Sequence, residues 1–189
     1  MRRADFLSLT DLSVDAFYSL ERRGRLPFQR PAKGAWSDYS AVAALKMTFA
    51  LALAEHGITQ EDAAAFVRFE FKEAFERLTT HTAATPLYFG FAYVGSDGID
   101  GETGRREISR TRSGVVGTWG EVGRKIAALA AQLRKGGESV FGVTLVDASQ
   151  TLNAFFARAE ALGILELVQR DFAAERERLT AEEEAAWDG

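Results

Sequence analysis

The most constraining feature of the sequence is an apolar run from Ala41 to Ala54, preceded by Ser40 and followed by Gly57. Lys46 interrupts the run, which is shorter than the roughly 20 residues that a helix needs to span a bilayer. Ser40 is a typical N-cap and Gly57 a typical stop, so a helix to about residue 55 is predicted. A helix that is apolar on two sides has to be buried between other elements. The two sides are Val42, Leu45, Phe49 and Leu53 on one, and Met47 and Leu51 on the other.

Short helices and a hairpin are predicted ahead of this run. The apolar spacing over residues 6–24 predicts one or two short helices, with Gly24 as the stop behind a basic last turn. From Arg25 to Tyr39, two prolines, a Lys-Gly pair and three aromatic residues predict a compact β-hairpin, with its turn near residues 32–35. The hairpin is therefore expected to connect the short helices to the buried one.

A further helix is predicted after Gly57. Thr59 with Asp62 resembles a capping box, and the helical pattern continues to about Leu78. The main apolar face of this helix consists of Val67, Phe71, Ala74, Phe75 and Leu78. Phe66 and Phe69 point away from that face. Apolar side chains in excess of one face are usually covered by another domain or chain. Phe66 and Phe69, together with Phe155 and Phe156 in a later helix, therefore predict self-association.

Beyond a hydroxyl-rich segment, Leu78–Pro86, the pattern changes to alternating strands and helices. The predicted elements are strands at Leu87–Val94, 105–116 and Ser139–Val146, a helix opened by the Thr118/Glu121 capping box and stopped by Gly136, a helix stopped by Gly163, and a charged helical tail from Ile164 to Trp187. This order, ββαβα with a helical tail, belongs to the α+β class.

Composition excludes several functional classes. The chain has 189 residues and no cysteine, which removes disulfides and thiolate metal sites, and its only histidines are His56 and His81. No Ser/His/Asp grouping or P-loop is visible, so we expect no enzyme and no cofactor. The sequence begins without the apolar region of a secretory signal, so a cytoplasmic protein without a membrane partner is expected.

Charge is unevenly distributed along the chain. The net charge is −4, yet residues 1–36 carry seven basic residues against four acidic ones, a balance of +3. The tail from Arg170 carries three arginines against seven acidic residues, a balance of −4. A basic N-terminal segment in an acidic chain is compatible with DNA binding.

Residues 12–70 contain four motifs in a fixed order. They are Leu12-Ser13, Glu21-Arg22-Arg23-Gly24-Arg25-Leu26-Pro27, Gly34-Ala35-Trp36-Ser37-Asp38-Tyr39-Ser40 and His56-Gly57-Ile58-Thr59-Gln60-Glu61-Asp62-Ala63. With the order of the predicted elements (helix-turn-helix, short wing, long helix, and a helix that begins with Gly, a hydrophobic residue and Thr), this set resembles the N-terminal winged-helix domain of MerR-family transcription regulators. The resemblance implies a winged helix-turn-helix that binds double-stranded DNA.

The residues themselves support the same interpretation of the second short helix. A recognition helix needs short or polar side chains that reach base edges, and cations that hold phosphates. Helical spacing places four of the candidates on one face and turns Phe17 and Leu20 toward the core. The candidate DNA-binding residues of this helix are Ser13, Asp15, Tyr18, Ser19, Arg22 and Arg23.

The predicted wing contributes the remaining candidates. Arg30 and Lys33 lie at or beside its turn, where they can reach backbone phosphates, and Trp36 is interpreted as an anchor of the wing's core. The resemblance implies that the hydroxyl of Tyr39 contacts the DNA backbone. Tyr18-Ser19-Leu20 stands where the family commonly has Arg-Tyr-Tyr, so some DNA contacts are replaced.

Two further charged stretches have alternative interpretations. A glycine-rich loop contains Asp97, Asp100 and Glu102, whose carboxylates could bind a cation. These residues lack the ligand order of an EF-hand, and Asp-Gly pairs are common in turns. We therefore interpret the loop as an ordinary hairpin connection without metal. The basic stretch of residues 105–135 is interpreted as a solvated surface, and a second nucleic-acid or anionic contact is its alternative. Its members are Arg105, Arg106, Arg110, Arg112, Arg124, Lys125, Arg134 and Lys135.

The sequence as a whole predicts a DNA-binding transcriptional regulator. Residues 1–80 form the winged-helix domain, 81–86 a linker, and 87–189 an α+β domain for homodimerisation, small-molecule sensing or partner contact. The alternative is a phage-type assembly or packaging protein that uses the same module for architectural DNA binding or for protein contact.

Overall fold

The computed structural model describes residues 1–29, 39–80, 85–99 and 106–187, and their side chains except those of 97–99, 106–110 and 187. Within these ranges the protein has seven α-helices and a three-stranded antiparallel sheet, which confirms the α+β class. The helices are α1 Arg3–Thr10, α2 Val14–Arg22, α3 Ala41–Glu55, α4 Gln60–Thr80, α5 Trp119–Leu133, α6 Ala148–Ala161 and α7 Leu165–Trp187. The strands are β1 Leu87–Ile99, β2 Arg106–Thr118 and β3 Ser139–Asp147.

The apolar run forms α3 and is buried as the sequence predicts. Ser40 is its N-cap, because the Ser40 hydroxyl accepts the amide N–H of Ala43 at 3.0 Å. His56 closes the other end, with its Nδ1 2.8 Å from the carbonyl oxygen of Ala52. Leu45, Phe49 and Leu53 are fully buried, and on the second side Met47 is buried while Leu51 is half-buried. Helix α3 is therefore a core element.

The sheet has the order β2-β1-β3, with β1 in the centre and both neighbours antiparallel to it. β1 and β2 pair over thirteen residues, from Leu87 opposite Thr118 to Ile99 opposite Arg106. β1 is longer than predicted at the end near the glycine-rich loop, because Asp97 and Gly98 continue the ladder instead of turning. β2 begins about where predicted and extends two residues further at its other end, to Thr118. A register shift between Tyr93 and Val94 interrupts the pairing of β1 with β3. α5 contacts all three strands.

The chain divides into two compact units that differ from the predicted domains. The first unit contains residues 1–71 together with 150–189, and the second contains residues 72–149. The predicted boundary at 81–86 and the assignment of the whole 87–189 segment to one domain are corrected by this division. Within the described part of the chain, no helix combines the length and the apolar character needed to cross a membrane.

Specific long-range contacts account for this division of the chain. The carboxylate of Asp171 on α7 accepts the amide N–H of Ala41 at 2.8 Å, and Arg158 on α6 donates to the carbonyl of Leu9 at 3.0 Å. These bonds join the end of the chain to the first unit. Near the end of α4, Arg77 pairs with Glu121 on α5 at 2.7 Å, which joins that part of α4 to the second unit. Sequence spacing could not reveal such long-range pairing.

Three of the four phenylalanines expected to promote self-association do not form an open surface. Phe155 is fully buried and stacks on Phe172 of α7 at 6.0 Å, and Phe156 contacts the same ring at 5.5 Å. Phe66 is also buried, whereas Phe69 is 76% exposed. Phe66 and Phe155 therefore offer no exposed surface for self-association, since the chain itself covers them, as α7 does for Phe155. Self-association stays a prediction.

Candidate nucleic-acid interface

A tight turn joins α1 to α2. Asp11 ends α1 in the left-handed conformation, with φ of 56°, and the amide of Leu12 donates back to the carbonyl of Leu7 at 3.0 Å. Aspartate is one of the few residues that tolerate this conformation. Ser13 then caps α2, and its hydroxyl accepts the amide N–H of Ala16 at 3.2 Å. The turn of residues 11–13 therefore connects the two short helices.

Helix α2 ends where the sequence predicts. Gly24 has φ of +66°, its amide donates to the carbonyl of Glu21, and the amide of Arg25 donates to the carbonyl of Leu20 at 2.9 Å. This pair of bonds is a Schellman motif, which places a glycine after the last helical turn. Arg22 and Arg23 lie at the helix C-terminus, where the dipole favours positive charge.

The inner face of α2 is anchored by an aromatic cluster. Phe17 is fully buried and Leu20 nearly so, as helical spacing predicts. The ring of Phe17 lies 5.6 Å from that of Phe6 on α1 and 5.7 Å from that of Tyr39. Edge-on aromatic contacts of this kind add about 0.5–1.5 kcal/mol each beyond the area they bury. The cluster holds α2 in a defined orientation on α1.

Tyr39 belongs to this cluster rather than to the exposed surface. Its ring also contacts Phe6 at 4.5 Å and Phe28 at 6.2 Å, and the residue is only 1% exposed. The expected contact of its hydroxyl with the DNA backbone is corrected, because a side chain buried among aromatic rings does not reach a phosphate in this conformation.

The outer face of α2 is polar and solvent-accessible. Ser13, Asp15, Arg22 and Arg23 are exposed, while Tyr18 and Ser19 are half-buried at its edge. Within the described residues, neither Arg22 nor Arg23 forms an ion pair with a carboxylate. Both side chains are exposed to solvent. The structure brings together the six candidates that the sequence places on this helix.

Arg3 is a member of this surface that the sequence analysis missed. Its Nη1 donates to the Tyr18 hydroxyl at 2.5 Å, and its guanidinium carbon lies 5.4 Å from the centre of the Tyr18 ring. Because the Tyr18 hydroxyl accepts this bond, its own proton remains free to be donated outward. The only signal in the sequence was an arginine at the start of α1, since the pairing depends on how the two helices pack.

The segment that leaves α2 is held by α4. Arg68 donates to the carbonyl of Leu26 at 2.7 Å, and Arg25 pairs with Glu61 at 3.4 Å. Residues 25–29 and 39–40 contain no strand. Arg30, Lys33 and Trp36, and with them the turn of the predicted wing, fall in residues 30–38, outside the described ranges.

The second basic stretch has a different electrostatic setting. Lys125 pairs with Glu73 at 2.9 Å and also donates to the carbonyl of Val116, and Arg112 lies over the ring of Phe91 at 5.6 Å. Arg124 is exposed on α5. Arg134 and Lys135 are also exposed, and the side chains of Arg105, Arg106 and Arg110 are not among those described. Part of this stretch is thus engaged by the protein itself.

The described residues hold no group of three or more His, Asp or Glu side chains that could bind a metal ion. Asp97 lies on β1, while Asp100 and Glu102 fall between the described ranges 85–99 and 106–187. His81 is likewise outside them, and His56 caps α3.

No protein-family model matches the chain. No curated protein matches it either.

Proposed function

We propose that the chain is a sequence-specific DNA-binding transcriptional regulator, in which α1, α2 and the following wing segment act as a MerR-like winged helix. The resemblance of residues 12–70 to that family supports the proposal. The remainder of the chain is assigned to homodimerisation and to contact with an effector or partner.

The observation that carries the proposal is the two-sided character of α2. One side, with Phe17 and Leu20, is locked into an aromatic core, while the other presents exposed arginines and short polar side chains. Rigid placement on one side and free polar groups on the other is what a major-groove reading helix requires.

The polar side divides into two roles by chemistry. Arg22 and Arg23, at the C-terminal end, would neutralise phosphates, because exposed guanidinium groups bind phosphate oxygens in a bidentate manner. Asp15 and Tyr18, nearer the N-terminal end, would face base edges. Asp15 accepts hydrogen bonds, so it suits an exocyclic amino group, whereas Tyr18 held by Arg3 donates and suits a purine N7 or a carbonyl oxygen.

A salt titration of DNA affinity tests the proposal. Fluorescence anisotropy with genomic DNA fragments is measured over a range of salt concentrations for the wild type and for Arg22→Ala. Each lost phosphate contact should reduce the slope of log affinity against log salt by about 0.9, independent of DNA sequence. Arg134→Ala is the matched control, since it removes an equally exposed arginine on another part of the chain and should leave the slope unchanged.

Tyr18→Phe tests base reading separately from phosphate binding. It removes the hydroxyl and keeps the ring, so affinity for a preferred fragment should fall by about 1–3 kcal/mol while affinity for random DNA is retained. If Arg134→Ala alone changes the slope, DNA is bound through the second unit and the assignment to α2 is wrong. If the wild type shows no salt-dependent binding, α2 is a protein-contact surface, as the assembly alternative requires.

A further inference from the structure

A cavity lies between α3 and α7, within the first compact unit. Its volume is about 430 Å³, which is in the range of sites that bind small molecules. Phe28, Val42 and Ala174 form one part of its lining, which we call the apolar wall. As far as the chain is described, the lining includes no residue of α1 or α2, so the cavity is separate from the candidate nucleic-acid interface.

The charged side chains on the α7 side of this cavity already have partners. Both carboxylate oxygens of Glu175 accept hydrogen bonds from the Arg178 guanidinium, at 2.8 and 2.9 Å. Arg178 also pairs with Glu182, and Asp171 accepts the amide N–H of Ala41. The α7 side is therefore a network of groups that bind one another and the start of α3.

Lys46, on the α3 side of the cavity, is the exception. The residue is half-buried, and its ammonium group lies 5.1 Å from the centre of the Phe71 ring. Within the described residues this ammonium group forms no hydrogen bond or ion pair. Burial lowers the pKa of Lys46, an effect that Glu175 opposes and Arg178 reinforces. A cation that is partly removed from water without an acceptor costs free energy, which a bound anion would recover.

We infer that this cavity binds a small apolar molecule with a single carboxylate group, which pairs with Lys46 while the rest of the molecule lies against the apolar wall. A single negative charge fits better than a phosphate dianion, because the carboxylates of Asp171 and Glu175 line the same cavity and would repel a second charge. Ser40 also lines the cavity, and its hydroxyl proton can be donated to the second carboxylate oxygen. This binding activity goes beyond the proposed DNA binding and does not depend on it.

Isothermal titration calorimetry of the full chain with benzoate tests the inference. Benzoate joins one carboxylate to an apolar ring, and benzamide is a neutral molecule of the same shape. The charged hydrogen bond to Lys46 should make benzoate bind about tenfold more tightly than benzamide. A wild type that binds the two probes equally, or binds neither, overturns the inference. Tighter binding of inorganic phosphate than of benzoate overturns the assignment to a monocarboxylate.

Substitutions show whether the probe binds in this cavity. Lys46→Met keeps an unbranched side chain and removes the charge, so the affinity for benzoate should fall about tenfold, to that of benzamide. Lys135→Met is the matched control, because it removes an exposed lysine of the second unit, and it should bind benzoate like the wild type. Ala174→Leu enlarges an exposed residue of the apolar wall and should weaken the binding of both probes.

Circular dichroism checks that each variant is folded. A folded Lys46→Met variant that binds benzoate like the wild type overturns the inference. If Lys46→Met does not fold, Ala174→Leu decides the question, and unchanged affinity of that variant for both probes overturns the inference as well. DNA is absent throughout and no substitution changes α2, so a failure here does not bear on the proposed function, which the salt titration tests separately.

Discussion

The two compact units complete their cores by different means. In the first unit, the rings of Phe6, Phe17 and Tyr39 are buried together, and α7 returns from the end of the chain to pack against α3. In the second unit, a three-stranded sheet has α5 against it, and Phe141 and Trp119 remain about half or more exposed. In the first unit a distant segment of the chain covers most of the large rings, with Phe69 of α4 left 76% exposed, whereas Phe141 and Trp119 of the second unit have no such cover in the described part of the chain.

The comparison shows that burial does not follow from local composition. Phe155 and Phe141 are both phenylalanines beside other apolar residues, yet Phe155 is fully buried and Phe141 is 49% exposed. The difference is whether a distant segment of the chain returns to cover the site. Removing buried contacts should therefore cost more in the first unit than changing the exposed rings of the second.

Removing α7 should have the largest effect on the stability of the first unit. A chain ending at Gly163 loses Val168, Phe172 and Leu179, which are all buried, and each such side chain contributes about 1.5–3 kcal/mol. Most of the helical signal of the first unit should be lost in circular dichroism. A chain ending at Glu182 keeps these residues and the ion pair of Glu182 with Arg178, and it should unfold like the full chain. Equal stability of both truncations would mean that α7 is not part of the first core.

Phe17→Ala should be the most costly single substitution among those considered. The side chain is fully buried, and loss of a core phenylalanine costs about 3–5 kcal/mol in the free energy of unfolding. Phe141→Ala is the matched change in the second unit and should cost about 1 kcal/mol or less in dilute protein. Urea denaturation measures both costs, and an equal cost for the two variants would contradict the difference in burial between Phe17 and Phe141.

Asp171→Ala should have a moderate effect on the first unit. It removes the carboxylate that accepts the Ala41 N–H at the start of α3, and loss of such an acceptor costs about 1 kcal/mol. Asp171→Asn retains an acceptor and should lose less. Thermal unfolding of both variants measures the difference, and an alanine variant as stable as the asparagine one would show that Ser40 alone caps α3.

The smallest expected effect is the pH dependence of the stability that Glu121 contributes to the second unit. Its carboxylate accepts hydrogen bonds from the Thr118 amide and the Thr118 hydroxyl and pairs with Arg77, which together lower its pKa from 4.5 to about 2. Because the folded pKa lies below the unfolded one, its contribution to stability is present above about pH 4.5 and is lost as the pH falls toward 2.

Denaturation at a series of pH values should show this loss in the wild type and not in Glu121→Gln. Glu160→Gln changes an exposed carboxylate of α6 and should keep the wild-type profile. A profile in which Glu121→Gln follows the wild type at every pH would contradict the assigned role of this carboxylate.

Much of the local structure could be predicted from the sequence by itself. Caps and stops are short-range: Ser40, Thr118 with Glu121 and Gly24 act through bonds to residues within a few positions, so they can be recognised in the sequence. Periodicity likewise predicted that Phe17 and Leu20 face the core while Asp15 and Arg22 face solvent. The α+β class and the polar outer face of α2 follow from such signals.

Only the tertiary structure decided which distant segments meet. Three such pairings join residues that are 15 to 130 positions apart in the sequence. They are the bond from Arg3 to Tyr18, the contact of Tyr39 with Phe6, and the bond between Asp171 on α7 and the start of α3. No local pattern encodes such pairings, because they depend on the packing of complete helices against one another. For the same reason, a strand with the period of β3 could be recognised as a strand, while its place at an open edge of the sheet could not.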